Sequence, residues 1–241
     1  MPHSLFISDL HLSPETSAAT ASLMHFLRDT APHADSLYVL GDLFEYWVGD
    51  EGMAQPHAKQ IVQAFRALAD QGVETYFMHG NRDFLVGERL AQASGFHILP
   101  DPTVVDLYGT PTILMHGDTL CTGDHEYQNF RAMVRNPAWQ KAFIAKPLDE
   151  RVRMAQQVRG RSEQSKSLKD MTIMDVSPIA VEQTFRAHQA ARLIHGHTHR
   201  PARHVHIVDE HECERWVLAD WYDRGSYLWC DASGCHAEPL P

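Results

Sequence analysis

Seven polar residues that interrupt apolar runs have side chains that bind metal ions. They are Asp9, His11, Asp42, Asn81, His116, His197 and His199. Carboxylate and amide oxygens and imidazole nitrogens are the ligands that borderline to hard divalent cations use. Seven groups exceed the needs of one ion. The set therefore predicts two ions about 3.5–4 Å apart that share a carboxylate such as Asp42, with positions left for water and a phosphate.

The spacing of three histidines at alternate positions indicates the conformation of the backbone that carries them. They are His195, His197 and His199. On a helix their side chains would point about 200° apart, whereas on an extended segment they share one face. We therefore expect an extended segment and one cluster. Each motif alone also fits an ordinary turn or a solvated strand. The order of the motifs, each at the end of an apolar run, favours a common site.

The elements that position these residues alternate between strands and helices. Strands are predicted at 5–12, 36–47, 73–80, two within 103–118, 191–199, 203–208, 215–221 and 226–234, and helices near 16–30, 56–71, 85–94, 126–170 and 178–190. The first half reads as βαβ units, which build parallel sheets. In such sheets ligands collect at the carboxyl ends of the strands.

The composition of the 241 residues is that of a globular chain, with 44% hydrophobic residues. The sequence contains no apolar run of 18 residues and starts without the features of a signal peptide, so we expect residence in the cytosol. The four cysteines form no C-x-x-C pair. Their scatter predicts reduced thiols rather than a disulfide framework or a zinc site.

The charge is unevenly distributed. The total is −10, but Arg131 to Lys169 holds ten Lys or Arg against three acids, so this segment carries +7 and the remainder −17. Apolar residues such as Met133, Trp139 and Phe143 lie among these charges. A solvated helical surface is one explanation. A cover that contacts both a phosphate and an acyl chain at a membrane surface is the other.

The motifs SDLHL, LGDLFE, HGNRD, MHGD and HGHTHRP, in this order over Ser8 to Pro201, resemble those of the calcineurin-like metallophosphoesterases. The stretches 41–50, 80–85 and 115–131 resemble, more closely, the UDP-2,3-diacylglucosamine pyrophosphohydrolases of lipid A synthesis. The resemblance implies one α/β domain over 1–241, a four-layer α/β/β/α sandwich of two mixed sheets, with a helical lid insertion at 126–170.

The same resemblance implies a centre of two Mn²⁺ ions. Asp9, His11, Asp42 and His199 would hold one ion, and Asp42, Asn81, His116 and His197 the other. Mn²⁺, Fe²⁺ and Zn²⁺ all suit mixed nitrogen and oxygen sites. The family motifs give His195 no ligand role, so we expect it to pack beside the ligands.

Arg82 is a departure from many metallophosphoesterases, which carry G-N-H-[DE] with a histidine that protonates the leaving group. Arginine cannot donate a proton usefully near neutral pH, but its fork can clamp phosphate oxygens. The leaving group should therefore need little protonation. A sugar 1-phosphate released from a pyrophosphate meets that condition.

The resemblance thus implies attack of metal-activated water on the α-phosphorus of UDP-2,3-diacylglucosamine, giving UMP and 2,3-diacylglucosamine 1-phosphate. Asp42, Asn81, Arg82 and His197 would be catalytic. Substrate contacts would come from Asn81, Arg82, Asp124, Ser162, Lys166, Lys169 and His197, with Lys166 standing where relatives often have Asn.

We expect a monomer that associates peripherally with the cytoplasmic face of the inner membrane. Two other functions remain open from the sequence: a phosphodiesterase or nucleotide pyrophosphatase with a soluble substrate, and a metal-free binding scaffold. Nucleic acid is not an expected partner, because the body is acidic and the sequence shows no basic groove with interleaved aromatics outside the insertion.

Overall fold

Eleven strands and seven α-helices form in the described part of the computed structural model, which covers residues 1–168, 175–222 and 225–240, without the side chains of 161–168. In chain order they are β1 (Ser4–Ile7), α1 (Ser17–Asp29), β2 (Ser36–Val39), α2 (Pro56–Ala69), β3 (Glu74–Met78), α3 (Glu88–Ser94), β4 (Phe96–Leu99), β5 (Thr103–Leu107), β6 (Thr110–Leu114), α4 (His125–Val134), α5 (Pro137–Ile144), α6 (Leu148–Leu168), α7 (Pro178–His188), β7 (Arg192–His195), β8 (Ala202–Val208), β9 (His211–Val217), β10 (Ser226–Asp231) and β11 (Gly234–Pro239).

The strands form two mixed sheets. The first sheet has the order β11-β10-β1-β2-β3-β4, in which β1 to β4 are parallel and β10 pairs antiparallel with β1. The second has the order β5-β6-β7-β9-β8, in which β6, β7 and β9 are parallel. The predicted pair of mixed sheets is confirmed.

Strand β1 shows how the layers are built. Leu5 and Ile7 belong to a core shared with helices α1, α2 and α3, whereas Phe6 belongs to a second core shared with the second sheet and α7. Successive side chains of a strand point to opposite faces. The first sheet therefore buries both faces, one against helices and one against the other sheet, and the four-layer arrangement is confirmed.

Two predicted strands of the first sheet are longer than the observed ones. The strand expected over 5–12 ends at Ile7, and the strand expected over 36–47 ends at Val39. Strands β4 and β11 have no counterpart in the prediction, because β4 follows α3 after a single glycine and β11 lacks apolar alternation. The described part of the helical stretch predicted at 126–170 forms α4, α5 and α6.

A disulfide joins Cys230 to Cys235. The expectation of four reduced thiols is therefore wrong for this pair. Strands β10 and β11 form a hairpin whose register places the two residues directly opposite each other. The sequence does not predict this pairing, because the residues of β11 lack apolar alternation. Cys121 and Cys213 are free and buried, in line with the prediction.

Helix α6 is the longest helix in the described ranges, with 21 residues. Its sequence is polar, and its first turn carries Asp149 and Glu150. Among the helices that the structure describes, none combines the length and the apolar character needed to cross a membrane.

Replacing Phe65 by Ala tests the helix-facing core. Phe65 is fully buried, and its ring centroid lies 4.7 Å from that of Phe96. We expect Phe65→Ala to lower the free energy of unfolding by about 3–5 kcal/mol, because it removes buried surface and leaves a cavity. Urea unfolding measures this. The control Ile179→Ala, at a side chain that is 68% exposed, should change stability by less than about 0.5 kcal/mol. Equal effects of the two variants would contradict the assignment of this core.

Candidate metal centre

All seven predicted ligands follow the carboxyl ends of strands. Asp9 and His11 follow β1, Asp42 follows β2 and Asn81 follows β3, all in the first sheet. In the second sheet, one histidine follows β6 and two follow β7: His116, His197 and His199. The two sheets thus present their ligand-bearing loops to one another.

The backbone at five of these residues is left-handed. In the described part of the chain, nine non-glycine residues have positive φ, and five of them are Asp9, His11, Asp42, His197 and His199. Such residues are uncommon in proteins and concentrate at functional sites. The expected extended segment at 195–199 is therefore wrong, because β7 ends at its first histidine and the chain then turns. The histidines converge through these turns and not along a strand face.

Three side chains form the first group of the cluster. The Nε2 atoms of His11 and His199 lie 3.2 Å apart. The Oδ1 atom of Asp9 lies 3.4 Å from Nε2 of His199 and 4.0 Å from Nε2 of His11. These ligand atoms all lie within 4.8 Å of one another. One cation can therefore be reached by all three side chains.

A second group lies against the first. The Oδ1 atom of Asn81 is 3.0 Å from Nε2 of His116 and 2.9 Å from Nδ1 of His197. Asp42 stands between the groups, since its Oδ2 atom is 3.8 Å from Nε2 of His116 and 3.8 Å from Nε2 of His11. The structure therefore brings all seven predicted ligands together, with Asp42 where a shared ligand would lie.

The electrostatics of the cluster fit bound cations. Asp42 is 2% exposed, and burial raises its pKa to about 7. Burial lowers the pKa of His116, but the carboxylates of Asp42 and Asp118 outweigh this effect and raise it to about 9. Buried carboxylates are costly to ionise unless positive charge compensates them. Divalent cations would supply that charge, and the oxygen and imidazole donors suit them.

Asp83 is a functional residue that the sequence motifs did not single out. It is fully buried, and its Oδ1 accepts hydrogen bonds from the backbone N–H groups of Gly80 (2.9 Å) and Asp42 (3.3 Å). Its Oδ2 accepts one from Leu43 N–H at 2.8 Å. Asp83 thereby fixes the loop of Asp42 to the loop of Asn81. The signal was its place in HGNRD, where an acid follows a candidate ligand at a strand end.

His195 lies outside the cluster. Its Nε2 is 3.0 Å from Nη1 of Arg215, and its Nδ1 bonds the carbonyl oxygen of Gly196 at 2.8 Å. Because an arginine only donates, Nε2 accepts and the proton sits on Nδ1. Burial and the neighbouring charge of Arg215 lower the pKa of His195 to about 3. The ring supports the turn before His197, in line with the packing role expected from the sequence.

The predicted substrate contacts are only partly visible. Arg82 has a side chain that is 15% exposed, with Nη1 3.7 Å from Oε1 of Glu45. Asp124 caps helix α4 by accepting a hydrogen bond from the N–H of Tyr127 at 3.1 Å. Three predicted contacts lie outside the described residues: the side chains of Ser162 and Lys166, and Lys169.

Arginines in helices α4 and α6, and Arg135 just after α4, attach the basic segment to the body. Arg131 pairs with Asp118 at 2.7 Å, and Nη2 of Arg135 donates to the carbonyl oxygen of Gly80 at 2.8 Å.

Arg151 of α6, which is 2% exposed, binds the carbonyl oxygen of Val48 and the carboxylate of Glu51. Arg159 pairs with Glu45 at 2.9 Å. Part of the segment's positive charge is thus neutralised inside the molecule, a role that the sequence alone did not indicate.

The calcineurin-like phosphoesterase family model matches residues 3–201, and the chain belongs to this family. Within it, the chain groups with proteins named UDP-2,3-diacylglucosamine hydrolase. The protein of that name from Xanthomonas axonopodis pv. citri is 52% identical over 243 residues, covering 98% of both chains. That from Aromatoleum aromaticum is 49% identical over 230 residues, covering 95% of this chain and 94% of its own. Family membership confirms that the fold belongs to enzymes that bind divalent metal, and the cluster above supplies candidate ligands.

Proposed function

We propose that this chain hydrolyses the pyrophosphate bond of UDP-2,3-diacylglucosamine in lipid A biosynthesis, releasing UMP and 2,3-diacylglucosamine 1-phosphate. The observation that carries the proposal is the cluster of seven oxygen and nitrogen donors between the two sheets. The relatives named UDP-2,3-diacylglucosamine hydrolase support the choice of substrate, because they match nearly the full chain.

In this proposal the cluster holds two Mn²⁺ ions. Asp9, His11 and His199 belong to one subsite, and Asn81, His116 and His197 to the other, with Asp42 shared. Divalent cations bound here would activate a water molecule and polarise the phosphoryl oxygens. Asp83 and His195 hold the ligand loops in place, so that the donor positions exist before substrate arrives.

Asn81 and Arg82 have a second role at the reacting phosphate. The Arg82 guanidinium lies 3.7 Å from Glu45, and it can direct two N–H groups at phosphoryl oxygens. A well-placed donor of this kind lowers the free energy of the transition state by on the order of 3 kcal/mol. Because Arg82 cannot supply a proton, the departing group should be a phosphate, which both ends of the pyrophosphate provide. We propose attack on the α-phosphorus, with the sugar 1-phosphate as the departing group.

Helices α4 to α6 are proposed as a lid over the acyl chains. A cleft of about 50 Å³ runs between the loop after Asp42 and helix α6, and its walls include Phe44, Trp47, Leu148 and Val152. Met133, Ile144 and Val158 of these helices are between 36% and 48% exposed. These apolar residues, set among Lys and Arg, suit peripheral binding to the cytoplasmic face of the inner membrane. We propose that the chain acts there as a monomer.

Comparing acylated with unacylated UDP-sugars tests the substrate. We expect UDP-2,3-diacylglucosamine to be cleaved with kcat/KM at least about 100-fold above that of UDP-N-acetylglucosamine, because each buried methylene contributes about 0.8 kcal/mol. Phosphorus NMR of products formed in ¹⁸O-water should place the label in UMP. Equal rates for the two substrates would contradict the lid and favour a soluble substrate, and label in the sugar phosphate would contradict attack at the α-phosphorus.

A further inference from the structure

Two histidines of the cluster have a carboxylate behind them. His11 turns its Nε2 into the cluster, and its Nδ1 lies 3.4 Å from Oε2 of Glu45. His199 does the same, with Nδ1 3.6 Å from Oδ2 of Asp220. His116 differs, since its Nδ1 bonds the backbone carbonyl oxygen of Leu40 at 2.9 Å.

We propose that Glu45 and Asp220 are positioning residues that orient His11 and His199 and strengthen one metal subsite over the other. This inference rests on the paired-cation centre of the proposed function, not on the identity of the substrate. A carboxylate that accepts the Nδ1 proton fixes the imidazole tautomer with Nε2 free to bind metal, and it makes that nitrogen more basic. In the other subsite, Nδ1 of His116 instead bonds a neutral backbone carbonyl.

The backbone holds Glu45 beside His11. The N–H of His11 donates to the carbonyl of Asp42 at 2.9 Å, and the N–H of Glu45 donates to the carbonyl of Leu12 at 3.0 Å. A parallel bridge pairs Leu12 with Phe44 between these bonds. The two loops therefore run in register past the strand ends, and the Glu45 carboxylate, which is 3% exposed, lies next to the imidazole.

Asp220 is held in a comparable way. It follows β9, and the N–H of the next residue, Trp221, donates to the carbonyl of Asp9 at 3.2 Å. Tyr222 then stacks on the ring of His11, with 5.2 Å between centroids and 6° between planes. The chain after β9 thus packs against the same subsite. The two N···O distances exceed the limit of about 3.2 Å for ordinary hydrogen bonds by about 0.2–0.4 Å, so the inference requires each carboxylate and ring to approach by that amount when metal binds.

Glu45 has a second set of contacts that the experiment must separate. Its Oε1 lies 2.9 Å from Nε of Arg159 and 3.7 Å from Nη1 of Arg82. Glu45 therefore also attaches helix α6 to the body. Loss of that attachment would affect the lid, whereas loss of the contact with His11 would affect metal binding.

Calorimetric titration of the metal-free full-length chain with Mn²⁺ distinguishes these roles. We expect two binding steps in the wild type. Glu45→Gln and Asp220→Asn should each weaken the same step by about 10- to 100-fold and leave the other within about twofold. The matched control is Asp29→Asn, which removes a carboxylate 3.1 Å from Nε2 of His25 on the exposed face of α1 and should change neither step. Urea unfolding of each variant verifies that it is folded.

Arg159→Gln completes the set, because it removes the attachment of α6 and keeps the carboxylate. We expect both Mn²⁺ affinities of Arg159→Gln to stay within about twofold of the wild type. If Arg159→Gln weakens Mn²⁺ binding as much as Glu45→Gln does, the inference is wrong. It is also wrong if Glu45→Gln and Asp220→Asn weaken both steps equally or weaken neither. Each of these outcomes would leave the proposed function standing. A wild-type chain that binds fewer than two ions would overturn the paired centre and this inference with it.

Discussion

Replacing Asp42 by Asn is expected to lower kcat/KM by on the order of 10³-fold, the largest effect of any single polar substitution in the cluster. The Oδ2 atom of Asp42 is 3.8 Å from a histidine nitrogen of each group, His11 and His116. An amide has the same shape but no negative charge, so both cations would lose a ligand together. Steady-state hydrolysis with Mn²⁺ present, together with the metal content of the purified variant, measures the effect.

The control for this variant is Asp70→Asn, an exposed carboxylate that pairs with Arg66 on α2. It should hydrolyse substrate at the wild-type rate. If Asp42→Asn retains near-normal hydrolysis with manganese, the paired-metal proposal is wrong.

Gly196→Ala is the second substitution with a large expected effect. A Cβ atom at this glycine would lie 2.1 Å from Oδ2 of Asp9 and 2.2 Å from Oγ of Ser8. Neither atom can withdraw freely, because Ser8 donates to Asp9 at 2.6 Å and the N–H of His197 donates to the same carboxylate at 2.9 Å. We expect the methyl group to displace Asp9, to remove most of the bound metal and activity, and to cost about 1–3 kcal/mol of stability.

Gly160→Ala is the matched control, since this helical glycine has open space where the Cβ would lie. Its alanine variant should keep metal and activity and gain up to about 1 kcal/mol of helix stability. Metal analysis, hydrolysis rates and urea unfolding compare the two variants. Normal metal content in Gly196→Ala would show that the Asp9 loop does not approach the glycine as closely as the structure indicates.

The alternation of strands and helices could be predicted from the sequence because its signals are local, whereas the two-sheet, four-layer sandwich was implied by the resemblance to a known family. Apolar runs alternate with amphipathic helices, and polar residues such as Asp9 and Asn81 end the runs, so the edge at which they meet could be predicted. The gathering of the seven donors is observed, while their roles as metal ligands stay predictions. The resemblance of the motifs to a known family supplied the assignment of each donor to a subsite.

What the sequence could not supply depends on contacts between distant segments. The left-handed turns at His197 and His199 arise because the chain leaves β7 and must meet loops from the other sheet. Glu45 and Asp83 are ordinary acids in the sequence, and only the fold places them behind ligand loops. The disulfide between Cys230 and Cys235 could be predicted only if β11 were recognised as a strand, and the residues of β11 lack a strand pattern.

The division of the donors between the sheets bears on the order of assembly. Four donors follow strands of the first sheet and three follow strands of the second, so neither sheet carries a complete pair of coordination shells. Tight binding of the two proposed ions would therefore require the two sheets to be docked through their shared apolar core. Bound ions would stabilise the contact between the two sheets. A chelator should therefore weaken this contact and lower the melting temperature, while the chain stays folded.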